Sequence, residues 1–67
     1  MREYALSAHG FRADGSVKGQ AVYTGQYADD ESAIRGLEQH LGFITECYGR
    51  IKYYIVDGSR LVKKGEV

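Results

Sequence analysis

The dipeptide Asp14-Gly15 constrains this chain more than any other feature. Asp-Gly suits the positive φ angles of a two-residue type I′ turn, whose twist matches that of two antiparallel strands. Reversing the chain there sets Leu6 opposite Tyr23, Ala8 opposite Ala21 and Tyr4 opposite Gly25. Side chains alternate along a strand, so these residues share one side of the ribbon. The other side collects Glu3, Ala5, Ser7, His9 and Phe11 against Lys18, Gln20, Val22, Thr24 and Gln26. One mostly apolar face and one mixed face are what a hairpin covered on one side requires.

A helix is expected next, over Ala28–Gly42. Asp29 or Asp30 can cap its start, and Glu31 adds negative charge in the first turn. Ile34, Leu37 and Leu41 recur at helical spacing beside Ala33. Gly42 offers a left-handed stop. Gly36 weakens the helix by about 1 kcal/mol relative to Ala and falls near the edge of the apolar stripe, where a close backbone approach is one available role.

The remainder reads as strands. Ile51, Tyr53 and Ile55 alternate with Lys52, Tyr54 and Val56, and Asp57-Gly58-Ser59 marks a turn before Arg60-Leu61-Val62. A turn at Gly58-Ser59 aligns Val56 with Leu61 and Ile55 with Val62. A further short strand over Phe43–Tyr48 reverses at Gly49-Arg50. The expected fold is a single α+β domain spanning residues 1–67, with two layers. An antiparallel sheet of four to five strands carries one helix on one face. Its core is Tyr4, Leu6, Ala8, Ala21, Tyr23, Ile34, Leu37, Leu41, Ile51, Tyr53 and Ile55.

Size bears on activity. A chain of 67 residues buries about 60% of its extended surface, which leaves little room for an enclosed active site. His9, His40 and Cys47 are the only soft metal ligands, and they lie on three different expected elements with no clustered spacing. Nothing in the spacing marks Cys47 and a histidine as a nucleophilic pair. Asp29, Asp30 and Glu31 are explained by capping and the helix dipole. No phosphate-cradling glycine motif is present. These readings argue against an enzyme, leave a small enzyme or ligand carrier as the third choice, and call for no cofactor or metal. No apolar run is long enough to cross a membrane, and no basic-then-apolar leader opens the chain. A single cysteine favours a reducing compartment, so a cytoplasmic location is expected.

The sheet face away from the helix is the candidate site. It gathers His9, Phe11, Val22, Lys52, Tyr54, Val56, Leu61 and Lys63 in the expected register. One helix covers only one side of a sheet, and contiguous exposed apolar side chains mark an interaction surface. Partner-binding residues are therefore expected at Phe11, Val22, Lys52, Tyr54, Val56, Leu61 and Lys63. Charge is uneven although nine Lys and Arg balance nine Asp and Glu. Ala28–Gly42 holds four acids and one Arg, a net −3, whereas Arg50–Val67 holds five basic residues and two acids, a net +3. That asymmetry suits a homodimer, separate acidic and basic partner surfaces, or a solvated dipole without a role.

The order hairpin, acid-capped helix and further strands resembles small accessory proteins of phages and mobile elements, the anti-CRISPR proteins among them. The strand from Val17 followed by Tyr27-Ala28-Asp29-Asp30-Glu31-Ser32-Ala33-Ile34 carries the likeness, which is one of pattern. It implies a stoichiometric inhibitor that occludes a partner's surface. The leading expectation is accordingly a protein-binding module that forms a homodimer, with the mixed sheet face as the surface that pairs with a copy or a partner. The alternative is a single-strand nucleic-acid binder using Phe11, Tyr54, Lys52 and Lys63 on the open sheet, although zero net charge weighs against it.

Overall fold

A computed structural model describes residues 1–67. The elements run β1 (Arg2–Phe11), β2 (Val17–Tyr27), α1 (Asp30–Glu38), α2 (Leu41–Tyr48), β3 (Ile51–Asp57) and β4 (Arg60–Glu66). The strands form one antiparallel sheet in the order β2-β1-β3-β4. Both helices pack on the same face, where Tyr4, Leu6, Ala8, Ala33, Leu37, Ile44, Ile51, Tyr53 and Ile55 form the buried core. Ala21, Tyr23, Ile34 and Leu41, expected inside, are half-buried at its margin.

The first hairpin keeps its expected register by an unexpected route. Its loop has three residues: Arg12 N–H donates to Ser16 O at 2.8 Å, and Gly15 N–H donates to Arg12 O at 2.9 Å. Only Gly15 has a positive φ, +89°, so Asp14 does not adopt the type I′ conformation. Asp14 instead accepts from the backbone N–H and the hydroxyl of Ser16, at 2.9 and 2.6 Å. A longer loop alone would slip the pairing by one residue. Gly10 pairs with Gly19 and Phe11 with Val17, so Lys18 is an extra residue, and this bulge cancels the slip. Leu6 and Tyr23 therefore face one another, as do Ala8 and Ala21.

The expected single helix is two helices, and the expected strand over Phe43–Tyr48 is the second of them. Asp29 caps α1, accepting from Ser32 N–H at 2.8 Å. The break falls at Gln39–His40, where His40 N–H donates to Leu37 O, and not at Gly42, which lies exposed inside α2. The His40 ring stacks on Tyr23 of β2, with centroids 4.0 Å apart and planes 8° from parallel, fixing the corner to the sheet. Phenylalanine, isoleucine, threonine and tyrosine all favour strands by themselves. Here helical spacing directs Leu41, Ile44 and Tyr48 toward the sheet and leaves Phe43 and Cys47 outside. Gly49, at φ +75°, ends α2.

Tyr48 needs a sheet without side chains beneath it. A Cβ on Gly10 would collide with Tyr48 Cβ, and one on the paired Gly19 would lie 2.5 Å from Tyr48 Cε1. Gly36 likewise receives a ring: a Cβ there would stand 2.6 Å from Tyr27 Cε1. In the second hairpin, Val56 faces Leu61 as expected, but Ile55 faces Lys63, so the register shifts by one residue and Val62 is left over. Val62 is half-buried against the core.

Candidate functional site

The uncovered sheet face is laid out by the three strand registers. One row across the sheet reads Val22, Ser7, Tyr54, Lys64; the next reads Thr24, Ala5, Val56, Leu61; a third reads Gln20, His9, Lys52, Glu66. Strands lie about 4.8 Å apart. The small Ser7 and Ala5 on β1 stand between the larger side chains of β2 and β3. Val22 is 57% exposed, Leu61 52% and Tyr54 40%, while Val56 and Phe11 are half-buried. Phe11 closes one end of the face, with Lys52 Nζ 5.6 Å from its ring centroid. Lys52 also approaches Glu66 at 3.8 Å. Gln20 Nε2 donates to Ser7 Oγ at 3.4 Å.

Six of the seven expected site residues, Phe11, Val22, Lys52, Tyr54, Val56 and Leu61, share this face. Lys63 does not. The extra residue at Val62 turns Lys63 to the helix side, because side-chain direction alternates and one added residue inverts it. Its Nζ donates to Glu38 Oε2 at 2.6 Å, the same oxygen that receives the Tyr53 hydroxyl at 2.6 Å. Lys64 stands beside Tyr54 in its place. Sequence alone carried no sign of the bulge, since Val62 continues the apolar run from Leu61.

Several other charged residues of the helix side are bound to each other. Asp30 accepts from Arg60 at 2.7 and 3.0 Å and from the Tyr4 hydroxyl at 2.7 Å. Those donors, Arg60 foremost, pull its carboxyl down to about 2. Arg60 also reaches Asp57 at 3.2 Å, and Arg2 reaches the same carboxylate at 3.3 Å. Lys63 and then Tyr53 hold the Glu38 carboxyl below its usual range. The Tyr53 hydroxyl is pushed up, by burial first and by Glu38 second. The acidic helix and the basic C-terminal strand thus meet within one chain, and this cross-linking accounts for the charge asymmetry without a second molecule.

The structure leaves the other candidate groups apart. His9 lies on the open face, His40 at the helix corner and Cys47 exposed on α2. No three His, Cys, Asp or Glu side chains converge. Asp29 caps, Asp30 binds Arg60 and Tyr4, and Glu31 reaches Arg35 at 3.4 Å. No helix is long and apolar enough to cross a membrane.

No protein family, curated protein or solved structure matches the chain. The fold and its surface define it as an α+β domain: a four-stranded antiparallel sheet with two helices on one side and a mixed apolar and polar face on the other.

Proposed function

We propose that this protein is a non-enzymatic binding module that takes another protein on the open face of its sheet. It works by covering part of that partner's surface, as a stoichiometric inhibitor of a host defence complex of the kind phages and mobile elements encode. The observation that supports this most is the exposure of Tyr54, Val22 and Leu61 together on a face with no layer over it. Tyrosine is a favoured anchor at protein interfaces, since it combines a large apolar ring with a hydroxyl at low conformational cost. Lys64 and Gln20 offer a polar rim.

Capture by immobilised protein, followed by mass spectrometry, tests the reading. A partner retained in stoichiometric amount by the wild type and lost with Tyr54→Glu is the expected result. Equal capture by Tyr54→Glu and by Val22→Glu would make this face ordinary surface.

A second reading rests on Lys52 over Phe11 and Lys64 beside Tyr54, cations next to aromatic rings as in platforms that stack single-stranded bases. Binding of that kind weakens steeply with salt, and Tyr54→Ala would weaken it by about 1–3 kcal/mol. Titration with single-stranded DNA and RNA at low salt separates the two readings. Absence of any complex there removes the second.

A further inference from the structure

The outer edge of β2 is a different unpartnered surface from the open face. Its backbone phase follows from the opposite side of the sheet. Ile51 and Val67 exchange both backbone hydrogen bonds, at 3.1 and 3.0 Å, so Ile51 turns its N–H and C=O away from β1. Backbone direction alternates along an antiparallel strand, so Lys52, Tyr54 and Val56 turn theirs toward β1. Their partners are His9, Ser7 and Ala5. Tyr4, Leu6 and Ala8 are thus left to bond Gly25, Tyr23 and Ala21 of β2. Gln20, Val22, Thr24 and Gln26 therefore point their N–H and C=O groups out of the sheet.

The two edges are built differently. β4 has seven residues, a bulge at Val62, and Arg60, Lys63, Lys64 and Glu66 along it. Short length, bulges and charge are the devices that keep an edge from pairing. β2 has eleven residues, and from Gly19 to Tyr27 it holds neither a charge nor a proline. An edge that long and neutral is a template for another strand.

We infer that β2 pairs antiparallel with β2 of a second copy about a two-fold axis at Val22, joining two sheets into one. A two-fold contact is the commonest way in which a chain satisfies its own surface. The edge's self-complementarity selects the second copy as the occupant, because the outward groups of Gln20, Val22 and Thr24 fall on themselves in bonding phase when the strand is reversed about Val22. Pairing about Val22 sets Gln20 opposite Thr24 and Lys18 opposite Gln26 of the second copy, so no like charges meet. On the helix side, small Ala21 stands opposite the half-buried ring of Tyr23. The edge contact leaves the open faces free and sets them side by side as one surface.

Sedimentation equilibrium of wild type, Val22→Pro and Tyr54→Glu decides the matter, with circular dichroism as the folding control. Val22→Pro deletes an outward N–H and leaves the ladder to β1 without a lost donor. The expected result is a wild-type dimer, a folded Val22→Pro monomer and a Tyr54→Glu dimer. Should Val22→Pro not fold, charge exchange carries the test: Gln20→Lys with Thr24→Lys sets lysines opposite one another across the two-fold axis and weakens the dimer several-fold, whereas Gln20→Lys with Thr24→Glu restores it. A wild-type monomer at every concentration overturns the inference. So does a dimer that survives Val22→Pro, or one that Tyr54→Glu alone dissociates. Undiminished capture by Tyr54→Glu in the preceding experiment, with the dimer intact, would overturn the binding proposal and leave this one standing.

Discussion

Arg60 grips Asp30 across thirty residues of chain, Nη2 donating to Oδ1 at 2.7 Å and Nη1 to Oδ2 at 3.0 Å. The contact ties the edge strand β4 to the first turn of α1. A second tie, from Lys63 to Glu38, lies at the last residue of the same helix. Beneath each, a core tyrosine donates its hydroxyl to the same carboxylate, Tyr4 to Asp30 and Tyr53 to Glu38. Exposed ion pairs contribute only about 0–1 kcal/mol each, so the value of these lies in geometry. They fix how the helix sits along the sheet, while the apolar core holds the layers together.

Stability is expected to fall at both ends of the pH scale for reasons that can be separated. Asp30, drawn to about 2 from an ordinary 3.8, and Glu38, also lowered, favour the folded state above their unfolded values. That contribution disappears as acid protonates them in the fold, between roughly pH 4.5 and 2. Tyr4, Tyr53 and Lys63 are raised, so their contribution is complete below about pH 10 and is lost as the pH climbs through their folded values. Chemical denaturation across pH should show a plateau between these limits. Asp30→Asn should flatten the acid side, and an acid limb unchanged in that variant would mean other carboxylates control it.

Lys63 and Lys64 are adjacent, yet their substitution should read out in different assays. Lys63→Met leaves the Glu38 carboxylate with only Tyr53 as its donor, so the denaturation midpoint drops. Lys64→Met touches only the open face and should change stability by no more than roughly 0.5 kcal/mol. Partner capture should respond in the reverse sense. Equal stability effects would place both side chains on one face and contradict the bulge at Val62.

Leu37 has no exposed surface and sits at the centre of the helix side of the core. Leu37→Ala should cost about 2–5 kcal/mol, and Ile44→Ala should fall in the same range. A domain of this size has total stability of about 5 kcal/mol, so either variant will populate unfolded chains, as urea titration will show. An Ile44→Ala midpoint equal to wild type would detach α2 from the core.

Gly10→Ala should destabilise although alanine suits a strand better than glycine. The added methyl collides with Tyr48 close to its own backbone, where the side chain has no freedom to swing away. Overpacking of this kind costs about 1–3 kcal/mol. In the double variant Gly10→Ala/Tyr48→Gly, which removes the Tyr48 Cβ with the ring, the clash is gone and the combined cost should fall well short of the sum of the two single costs. Additive effects in that cycle would mean that Tyr48 does not lie over the Gly10–Gly19 pair.

Local chemistry was sufficient for part of this architecture. Alternation along Tyr4–Gly10 and Ala21–Gly25, closed by a turn near Asp14-Gly15, already determined the strand pairing, because any slip by one residue would expose Leu6 and Tyr4. The same alternation placed Tyr54 and Val22 on the face away from the core, and the acids at Asp29 and Asp30 marked where the first helix begins. Tertiary packing decided the rest. Phe43–Tyr48 carries strand-forming residues, yet it is helical because only the helical spacing brings Ile44 and Tyr48 together onto the sheet, over a patch that Gly10 and Gly19 leave bare. Val62 cannot be told from an ordinary strand residue until its neighbours are in place, and that single extra residue exchanges Lys63 for Lys64 on the open face. The opposed charges of the helix and the last strand could have met within one molecule or between two. Distance in the folded chain settled it, since β4 lies close enough to α1 for Arg60 and Lys63 to reach Asp30 and Glu38 directly.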